Sequence, residues 1–183
     1  MISQDGSSRF YLRRMYPVLY TEGNVKIIIS YGVDITERKK IEEQVQLNEK
    51  RFRDLFNFSK AMICTHDLNG KLLTVNPFIC TTLGYKENEM LNKELVDFLP
   101  EKNRHLFQEH YLDAIINNNS TEGEFTVLSK SGKKIHLLYR NYKVEEPGLD
   151  PYVIGFSQDI TERKNTEEIV RKIDTSGLWE AFG

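Results

Sequence analysis

The sequence predicts an α+β domain built on a five-stranded antiparallel sheet, with short helices on one face of that sheet. Between residues 61 and 158, two β-rich segments come first, a helical stretch follows, and three β-rich segments end the run. Strands grouped at both ends of a helical stretch, rather than alternating with helices, are typical of the α+β class. The composition agrees, since 183 residues with 39% apolar and 28% charged side chains suit one globular domain with additional segments.

The first two strands are predicted at 61–67 and 71–76, because the turn Leu68-Asn69-Gly70 between two β-rich runs favours a hairpin. A short helix follows, since Pro77 suits the first position of a helix and Gly84 its end. Two more helices are predicted at 87–91 and 101–117, and three closing strands at 123–129, 134–144 and 152–158.

The strand 134–144 carries apolar side chains on both of its faces. Ile135, Leu137 and Tyr139 lie on one side, and Leu138 and Tyr142 lie on the other. Simple alternation of apolar and polar residues would leave one face of the sheet in water. We therefore expect helices to cover one face and a linker helix or a partner to cover the other.

The motif D-I-T-E-R-K occurs twice, at 34–39 and at 159–164. An apolar run precedes each copy at the same distance, at 27–31 and at 152–156. Continuing that spacing upstream aligns Phe10 with Ile135 and Leu12 with Leu137. The chain is predicted to hold one whole repeat unit, from Asp34 to about Gln158, preceded by the end of another.

Each copy of the motif is predicted to join a strand directly to a helix. A β-rich run stops at an aspartate, and a glutamate follows three positions later, which is the capping-box arrangement at a helix start. The helices that follow carry heptad-spaced seams typical of coiled coils, so we expect each helix to pair with its equivalent in a second chain. The seam positions are Ile41, Val45, Asn48, Phe52 and Leu55 in the first helix, and Thr166, Ile169 and Ile173 in the second.

Several further motifs occur in a fixed order between the two joints. They are the D-x-x-G-K hairpin of Asp67, Gly70 and Lys71, then Asn76, the helix stop Leu83-Gly84-Tyr85, and the turn Ser131-Gly132-Lys133. With D-I-T-E-R-K, this order resembles PAS sensory domains with a C-terminal PAC region. The resemblance covers 53–163 as one full domain and 1–39 as the end of an upstream one.

The resemblance implies four segments. Residues 1–33 form the C-terminal hairpin of an incomplete upstream PAS domain, with a purpose-built N-terminal arm as the alternative. Residues 34–57 form a linker helix, 58–160 the PAS domain, and 161–183 an exit helix and a tail. The tail breaks the heptad at Thr175-Ser176-Gly177 and ends in Leu178, Trp179 and Phe182. Whether either end is natural or truncated is left open.

The implied function is that of a sensory module. The resemblance implies that the chain forms a homodimer through its linker helices and relays a signal to a C-terminal output domain outside this chain. The chain would then be a fragment of a multi-PAS sensor protein, such as a histidine kinase of a two-component system. A haem- or flavin-bearing gas or redox sensor and a stand-alone protein-interaction adaptor are the alternatives. The signal-coupling residues expected at the two joints are Asp34, Thr36, Arg38, Asp159, Thr161 and Arg163.

A pocket inside the domain is a possible ligand site. Its candidate lining residues are apolar or aromatic: Met62, Cys64, Phe98, Phe107, Tyr111, Phe125, Leu137, Tyr139, Ile154 and Phe156. The many large rings favour a filled core, so we expect no bound cofactor. Haem would need an axial ligand, and His105 and His110 do not share the face of Phe107 and Tyr111. The N-C-R-F-L-Q helix of photoactive flavin domains is absent, because Cys80 lies in N-P-F-I-C-T-T-L-G-Y.

The remaining composition excludes several classes of protein. A net charge of −2 argues against a nucleic-acid surface. No apolar run approaches the roughly 18 residues of a membrane span, and the N-terminus lacks a signal-peptide core. There is no Gly-rich phosphate loop, metal-ligand spacing or catalytic triad, so we expect no enzyme activity in this chain. Cys64 and Cys80 form no metal or disulfide pattern, which predicts a cytoplasmic, reduced protein.

Overall fold

The computed structural model describes residues 9–19 and 25–175. Residues Thr21-Glu22-Gly23-Asn24, predicted to join the two strands of the N-terminal hairpin, and the tail residues Leu178, Trp179 and Phe182 lie outside the described residues. The chain divides into two compact units, Met1–Asp54 and Leu55–Gly183. Among the described residues, no helix is both long and apolar enough to cross a membrane.

The first unit holds an antiparallel hairpin of β1 (Tyr11–Leu19) and β2 (Val25–Asp34), followed by the start of helix α1 (Thr36–Phe58). Tyr16 and Tyr31 stack across the two strands with ring centroids 6.2 Å apart. Apolar side chains on both faces of this hairpin are exposed, and α1 buries none of its side chains. Such a hairpin and such a helix bury too little apolar surface to be stable alone in water.

The second unit contains a five-stranded sheet in the order β4-β3-β7-β6-β5, with every neighbouring pair antiparallel. The predicted α+β fold is therefore confirmed. The strands are β3 (Met62–Asp67), β4 (Leu72–Val75), β5 (Ser120–Leu128), β6 (Lys134–Val144) and β7 (Tyr152–Asp159).

Short helices between β4 and β5 cover one face of this sheet. They are α2 (Pro77–Leu83), α3 (Glu87–Met90), a 3-10 turn (Leu95–Phe98), α4 (Glu101–Phe107), a π-helical turn (Gln108–Leu112) and α5 (Asp113–Asn118). The predicted helix 101–117 is thus helical throughout, but its middle turn, Gln108–Leu112, is π-helical rather than α-helical. The exit helix α6 (Thr161–Thr175) follows β7 after one residue.

Asn76 ties the beginning of the helical layer to the sheet. Its side chain is fully buried and makes four hydrogen bonds. Oδ1 accepts from the backbone N–H groups of Ile63 (3.2 Å) and Ile79 (3.1 Å), and Nδ2 donates to the carbonyls of Phe56 (3.2 Å) and Ala61 (2.9 Å). Asn76 is thereby the N-cap of α2, directly before Pro77 at the first helical position.

Alternation along β6 separates the core from the outer face of the sheet. Ile135, Leu137, Tyr139 and Asn141 are buried beneath the helices, whereas Leu138, Arg140 and Tyr142 are exposed on the opposite side. The strand register places Arg140 beside Phe156 and Tyr142 beside Ile154. Residues paired directly across strands share one side of a sheet, so these two β7 residues point away from the helices.

The prediction that Ile154 and Phe156 face the interior is therefore wrong. Val153 and Gly155 occupy the inward positions of β7, and Phe156 is 42% exposed. Because the side chains of a strand alternate with a period of two, an error of one residue moves a whole set to the other face. The aromatic ring of Phe156 suggested that this side chain is buried, but Gly155 occupies the inward position of β7.

Candidate functional site

The joint between β7 and α6 is built from three hydrogen bonds. Asp159 Oδ1 accepts from the backbone N–H of Thr161 at 2.8 Å. Thr161 Oγ1 accepts from the backbone N–H of His136 in β6 at 2.9 Å, and the N–H of Ile160 donates to the carbonyl of His136 at 2.8 Å. The start of the exit helix is therefore fastened to β6, the strand that lies between β5 and β7 in the sheet.

The joint between β2 and α1 repeats these bonds. Asp34 Oδ1 accepts from the N–H of Thr36 at 2.9 Å, and Thr36 Oγ1 accepts from the N–H of Phe10 at 2.9 Å. The N–H of Ile35 donates to the carbonyl of Phe10 at 2.9 Å. Two copies of one sequence motif thus form one local structure, which identifies the motif as a clamp between a helix start and the preceding hairpin.

The hydrogen bonds of the two joints correct two predictions, namely the alignment of the two repeats and the capping box at each helix start. Phe10 is equivalent to His136, so the predicted alignment of Phe10 with Ile135 and of Leu12 with Leu137 is off by one position. Each motif aspartate, Asp34 or Asp159, is the last residue of its strand and still pairs with the preceding strand. Its carboxylate accepts a hydrogen bond from the backbone N–H of the threonine two positions later. The described hydrogen bonds include none from the motif glutamates back to the aspartate, so the expected reciprocal capping box does not form.

The arginines of the two joints share one kind of partner, the glutamate four positions later on the same helix. Arg38 pairs with Glu42 at 2.9 Å, and Arg163 pairs with Glu167 at 3.3 Å. At the second joint, Arg163 also contacts Glu124 of β5 at 3.5 Å, and Lys164 reaches the other oxygen of Glu124 at 2.7 Å. The hydrogen bond from Lys164 lowers the pKa of Glu124. The second joint therefore has ion pairs that attach its helix to β5.

An interior cavity of about 80 Å³ lies between the helices and the inner face of the sheet. Eight predicted lining residues surround it: Met62, Cys64, Phe98, Phe107, Tyr111, Phe125, Leu137 and Tyr139. Ile154 and Phe156 do not, because they lie on the outer face. The polar lining residues Asn141 and Ser157 were missed, although Asn141 continues the alternation of Leu137 and Tyr139 and could have been placed inside on that basis.

Stacked rings occupy most of the space beside the cavity. Phe125 and Tyr139 stack with centroids 4.4 Å apart, and Phe107 and Tyr111 stack at 5.1 Å. Tyr111 also meets Tyr139 edge-on at 5.6 Å. Offset-stacked and edge-on pairs are the arrangements that aromatic quadrupoles favour, and they leave only a small gap within the core.

A buried polar chain borders the cavity. The side chains of His66, Tyr111 and Asn141 are each at least 95% buried. His66 Nε2 lies 2.6 Å from the Tyr111 hydroxyl, His66 Nδ1 lies 2.6 Å from the Asp67 carbonyl, and Asn141 Nδ2 donates to the Tyr111 hydroxyl. Sequence reasoning missed His66, which occupies a strand position that otherwise suits an apolar residue.

Burial sets the protonation of these groups. It lowers the pKa of His66, raises the pKa of Tyr111, and raises the pKa of Cys64 to about 12. The imidazole and the phenol are therefore neutral, and Cys64 is a thiol rather than a reactive thiolate. Burial also raises the pKa of Cys80.

The residues present do not fit haem or a photoactive flavin. His105 and His110 are exposed, His136 lies 3.1 Å from the Thr126 hydroxyl, and both ring nitrogens of His66 have partners. The cavity is far smaller than the roughly 300 Å³ at which small-molecule pockets begin. Among residues 9–19 and 25–175, no group of three His, Cys, Asp or Glu side chains is placed to hold a metal ion.

The fold and its joints define a class of small α+β domain, in which a sheet and a helical layer enclose a cavity and the last strand leads into a helix. The sequence profile of the PAS fold matches residues 50–160. The chain therefore belongs to the PAS family, as its motifs predicted.

Similar proteins agree with that assignment. Sporulation kinase E of Bacillus subtilis (strain 168) is 25% identical over 134 residues, which is 73% of this chain and 18% of that protein. The chain thus spans about a fifth of the length of this relative. The PAS domain of an HTR-like protein from Haloarcula marismortui aligns with a TM-score of 0.59 at 23% identity, covering 67% of this chain and 99% of that one.

A PAS domain from a two-component sensor histidine kinase aligns with a TM-score of 0.55 at 19% identity, over 63% of this chain and 98% of that one. An RNA-binding light-oxygen-voltage receptor aligns with a TM-score of 0.62 at 17% identity, over 71% of this chain and 38% of that one. At these identities the two likenesses support the fold alone.

Proposed function

We propose that this chain is the sensory part of a longer signalling protein, in which PAS domains act through the helices that join them. The observation that carries the proposal is the repeated clamp, in which one threonine hydroxyl and one aspartate carboxylate fasten each helix to the hairpin before it. A joint used twice in one chain suits a device that passes a change of the sheet to the next helix.

The second clamp connects the interior to the exit helix by a short route. Leu137 and Tyr139 line the cavity from β6, and His136 on the same strand holds both Ile160 and Thr161 through its backbone. A displacement of β6 by a cavity occupant changes the position of these backbone groups. A small energy difference between two positions of the helix start is sufficient for a switch.

Pairing of two chains through α1 and α6 is the second part of the proposal. Ile41 of α1 and Ile169 of α6 are both 58% exposed at heptad positions, although such residues normally form the buried seam of a coiled coil. A second copy of the chain, with the same seams, covers them in a homodimer.

The output is proposed to be a histidine kinase of a two-component system, located C-terminal to this chain and operating in the cytoplasm. The likeness to sporulation kinase E supports this proposal, and the chain itself is proposed to be non-catalytic. The free thiols of Cys64 and Cys80 suit a reducing compartment.

A stand-alone adaptor is the second candidate function. The observation in its favour is the outer face of the sheet, where Leu138, Tyr142 and Phe156 are exposed beside one another. Exposed apolar groups of this kind are typical of protein contact surfaces.

The relay is tested in the full-length parent protein with Thr161→Val, which keeps the shape of the side chain and removes the hydroxyl that holds His136. Thr81→Val is the matched control, because the exposed Thr81 hydroxyl donates to the Pro77 carbonyl of its own helix, α2, and belongs to neither joint nor seam. We expect Thr161→Val to abolish the signal-dependent change in kinase output and Thr81→Val to preserve it. Normal regulation in the Thr161→Val protein contradicts the relay.

A further inference from the structure

The N-terminal hairpin has a residue-by-residue counterpart in the complete domain. Tyr11 pairs with Asp34 in the hairpin, as Leu137 pairs with Asp159 in the domain. Both aspartates cap the helix that follows through the same hydrogen bond. Strand β1 therefore corresponds to β6, and strand β2 corresponds to β7.

This correspondence separates the two faces of β1. In β6 the inward residues lie beneath the helices and the outward residues lie on the opposite side of the sheet. The outward residues of β1 and β6 are identical at four positions: Leu12 and Leu138, Arg14 and Arg140, Tyr16 and Tyr142, Val18 and Val144. The inward residues differ at all four positions: Tyr11 for Leu137, Arg13 for Tyr139, Met15 for Asn141, Pro17 for Lys143. The inward face is thus where the hairpin has a chemistry of its own.

The inward face of the complete domain is covered by elements that precede β6 in the chain. Tyr139 is 7% exposed, because it stacks on Phe125 of β5 and meets Tyr111 of the π turn. The corresponding face of the β1–β2 hairpin is open, and Met15 and Ile28 on it are both 62% exposed. By the same order of elements, the cover of this face is expected from the segment that precedes the hairpin in the parent protein.

Arg13 takes the place of Tyr139 on the inward face. Among the described residues its side chain has one partner, because Nη2 donates to the Ser30 hydroxyl at 3.2 Å. A guanidinium carries five N–H donors, so most of them point to no acceptor in the hairpin. Water satisfies them while the face is open, but a buried charge needs a partner of opposite sign. A carboxylate is that partner, since its two oxygens match the fork of the guanidinium.

We propose that the inward face of the β1–β2 hairpin docks against an apolar protein surface that presents one carboxylate to Arg13. We assign this surface to the segment that precedes the hairpin in the parent protein. Its apolar character follows from Tyr11, Met15 and Ile28, which share the face with Arg13. The inference rests on the proposed function only in placing this chain within a longer protein, because docking does not depend on the relay.

Amide hydrogen exchange in β1 and β2 measures whether this face is covered. It is followed by mass spectrometry in the parent protein and in the 183-residue chain. We expect the hairpin to exchange at least about a hundredfold more slowly in the parent, because docking makes its hydrogen bonds part of a folded domain. Exchange in β6 and β7 should be the same in both proteins and serves as the internal reference.

Arg13 and Arg14 offer matched variants, since they are adjacent and lie on opposite faces of β1. Arg13→Met leaves the carboxylate buried without a partner, so we expect hairpin exchange in the parent to be about a hundredfold faster. Arg14→Met should accelerate it at most about fivefold, because the counterpart Arg140 makes a surface ion pair with Glu122.

Arg13→Lys separates the charge from the shape of the side chain. It keeps the positive charge and loses the fork of donors, so we expect exchange about tenfold faster than in the wild type and slower than in Arg13→Met. If the parent with Arg13→Met fails to fold, the comparison of Arg13→Lys with the wild type decides the question.

Three results overturn the inference. Equally fast hairpin exchange in the parent and in the 183-residue chain shows that no preceding segment covers the face. Exchange in Arg13→Met that is no faster than in Arg13→Lys, or exchange in Arg13→Lys equal to that of the wild type, shows that the contact lacks the carboxylate. Protection in the 183-residue chain itself that rises with its concentration assigns the face to a second copy.

The exchange of the hairpin and the relay fail independently. Slow hairpin exchange in a parent whose output ignores Thr161→Val supports docking and contradicts the relay. Fast hairpin exchange in a parent whose regulation is abolished by Thr161→Val contradicts docking alone.

Discussion

Individual side chains in the core of this domain serve the interior polar chain rather than simple packing. His66 is fully buried on β3, yet both of its ring nitrogens have partners. Tyr111 lies on the π-helical turn and bridges His66 to Asn141 of β6. Three separate elements are therefore connected by hydrogen bonds inside an apolar core, where such bonds are strong and their loss is costly.

The buried imidazole of His66 makes the stability of the domain depend on pH. Burial lowers the pKa of His66 in the folded protein, whereas the imidazole of the unfolded chain takes up a proton near its ordinary pKa of 6.5. Below that pH the unfolded state binds more protons, so the contribution of neutral His66 to stability is lost as the pH falls. Below about pH 6.5, the free energy of unfolding should fall with decreasing pH less steeply in His66→Gln than in the wild type. We expect the two slopes to differ by up to about 1.4 kcal/mol per pH unit.

This difference is measured by urea unfolding of both proteins at several pH values between about 7.5 and 5.5. The carboxylates contribute equally to both proteins, so the comparison isolates the imidazole. Equal slopes for the wild type and His66→Gln would show that His66 is protonated in the folded state as well.

A second prediction separates backbone strain from packing at two glycines. Gly70 has φ +86°, and a Cβ there would lie 3.2 Å from the ring of Phe107. Gly132 has φ +83° with nothing within 4 Å of the corresponding position. We expect Gly132→Ala to lose about 1 kcal/mol through left-handed backbone strain, and Gly70→Ala to lose about 2–4 kcal/mol because the ring must also move.

Urea denaturation of the two variants under identical conditions gives the two losses directly. Similar losses for both variants would mean that Phe107 yields without cost and that Gly70 is required only for its backbone conformation.

At the level of elements, the joints and strands could be predicted from local sequence, whereas the phase of β7 could not. In Asp-Ile-Thr, the aspartate carboxylate caps the N–H group two positions later, which is a local signal, and the duplication of the motif made it visible. The bonds of each joint to the preceding strand are long-range and could not be predicted from the motif. In β7, apolar residues alternate with Gly155 and Ser157, and only pairing with β6 decides which set faces the helices. The 3-10 turn Leu95–Phe98 was also missed.

An element-scale prediction tests the attachment of α6 to β5. Glu124 bonds to Lys164 and Arg163 of α6, whereas Glu122, two positions earlier on the same strand, bonds to Arg140 of β6. We expect Glu124→Gln to accelerate amide hydrogen exchange in the first turns of α6 by about two- to fivefold, as the loss of surface ion pairs predicts.

Glu122→Gln serves as the control and should leave exchange in α6 unchanged. The Glu124 contacts are also expected to weaken in acid, because its lowered pKa means that protonation removes a favourable interaction as the pH falls below the ordinary value of 4.5. Equal exchange rates in the two variants would show that α6 is held by the Asp159 and Thr161 clamp alone.

For the whole molecule, the distribution of exposed apolar residues indicates which parts need a partner. The second unit has a cluster of buried apolar residues as its core, whereas the first unit exposes apolar residues on both faces of its hairpin and along α1. The sequence repeat predicts that this hairpin closes an upstream PAS domain, and its clamp is the same as that of the complete domain. Length and composition could not reveal such an arrangement, because they do not distinguish a core residue from an interface residue.

We propose that two chains pair through the seams of α1 and α6. The molar mass in solution, measured by light scattering on a sizing column up to on the order of 100 μM, tests this pairing. We predict a dimer of twice 21.4 kDa for the unmodified chain. The double variant Ile41→Lys, Ile169→Lys should give 21.4 kDa, because charges cannot be buried unpaired in a seam. A monomeric mass of the unmodified chain over the whole concentration range contradicts pairing through these two helices.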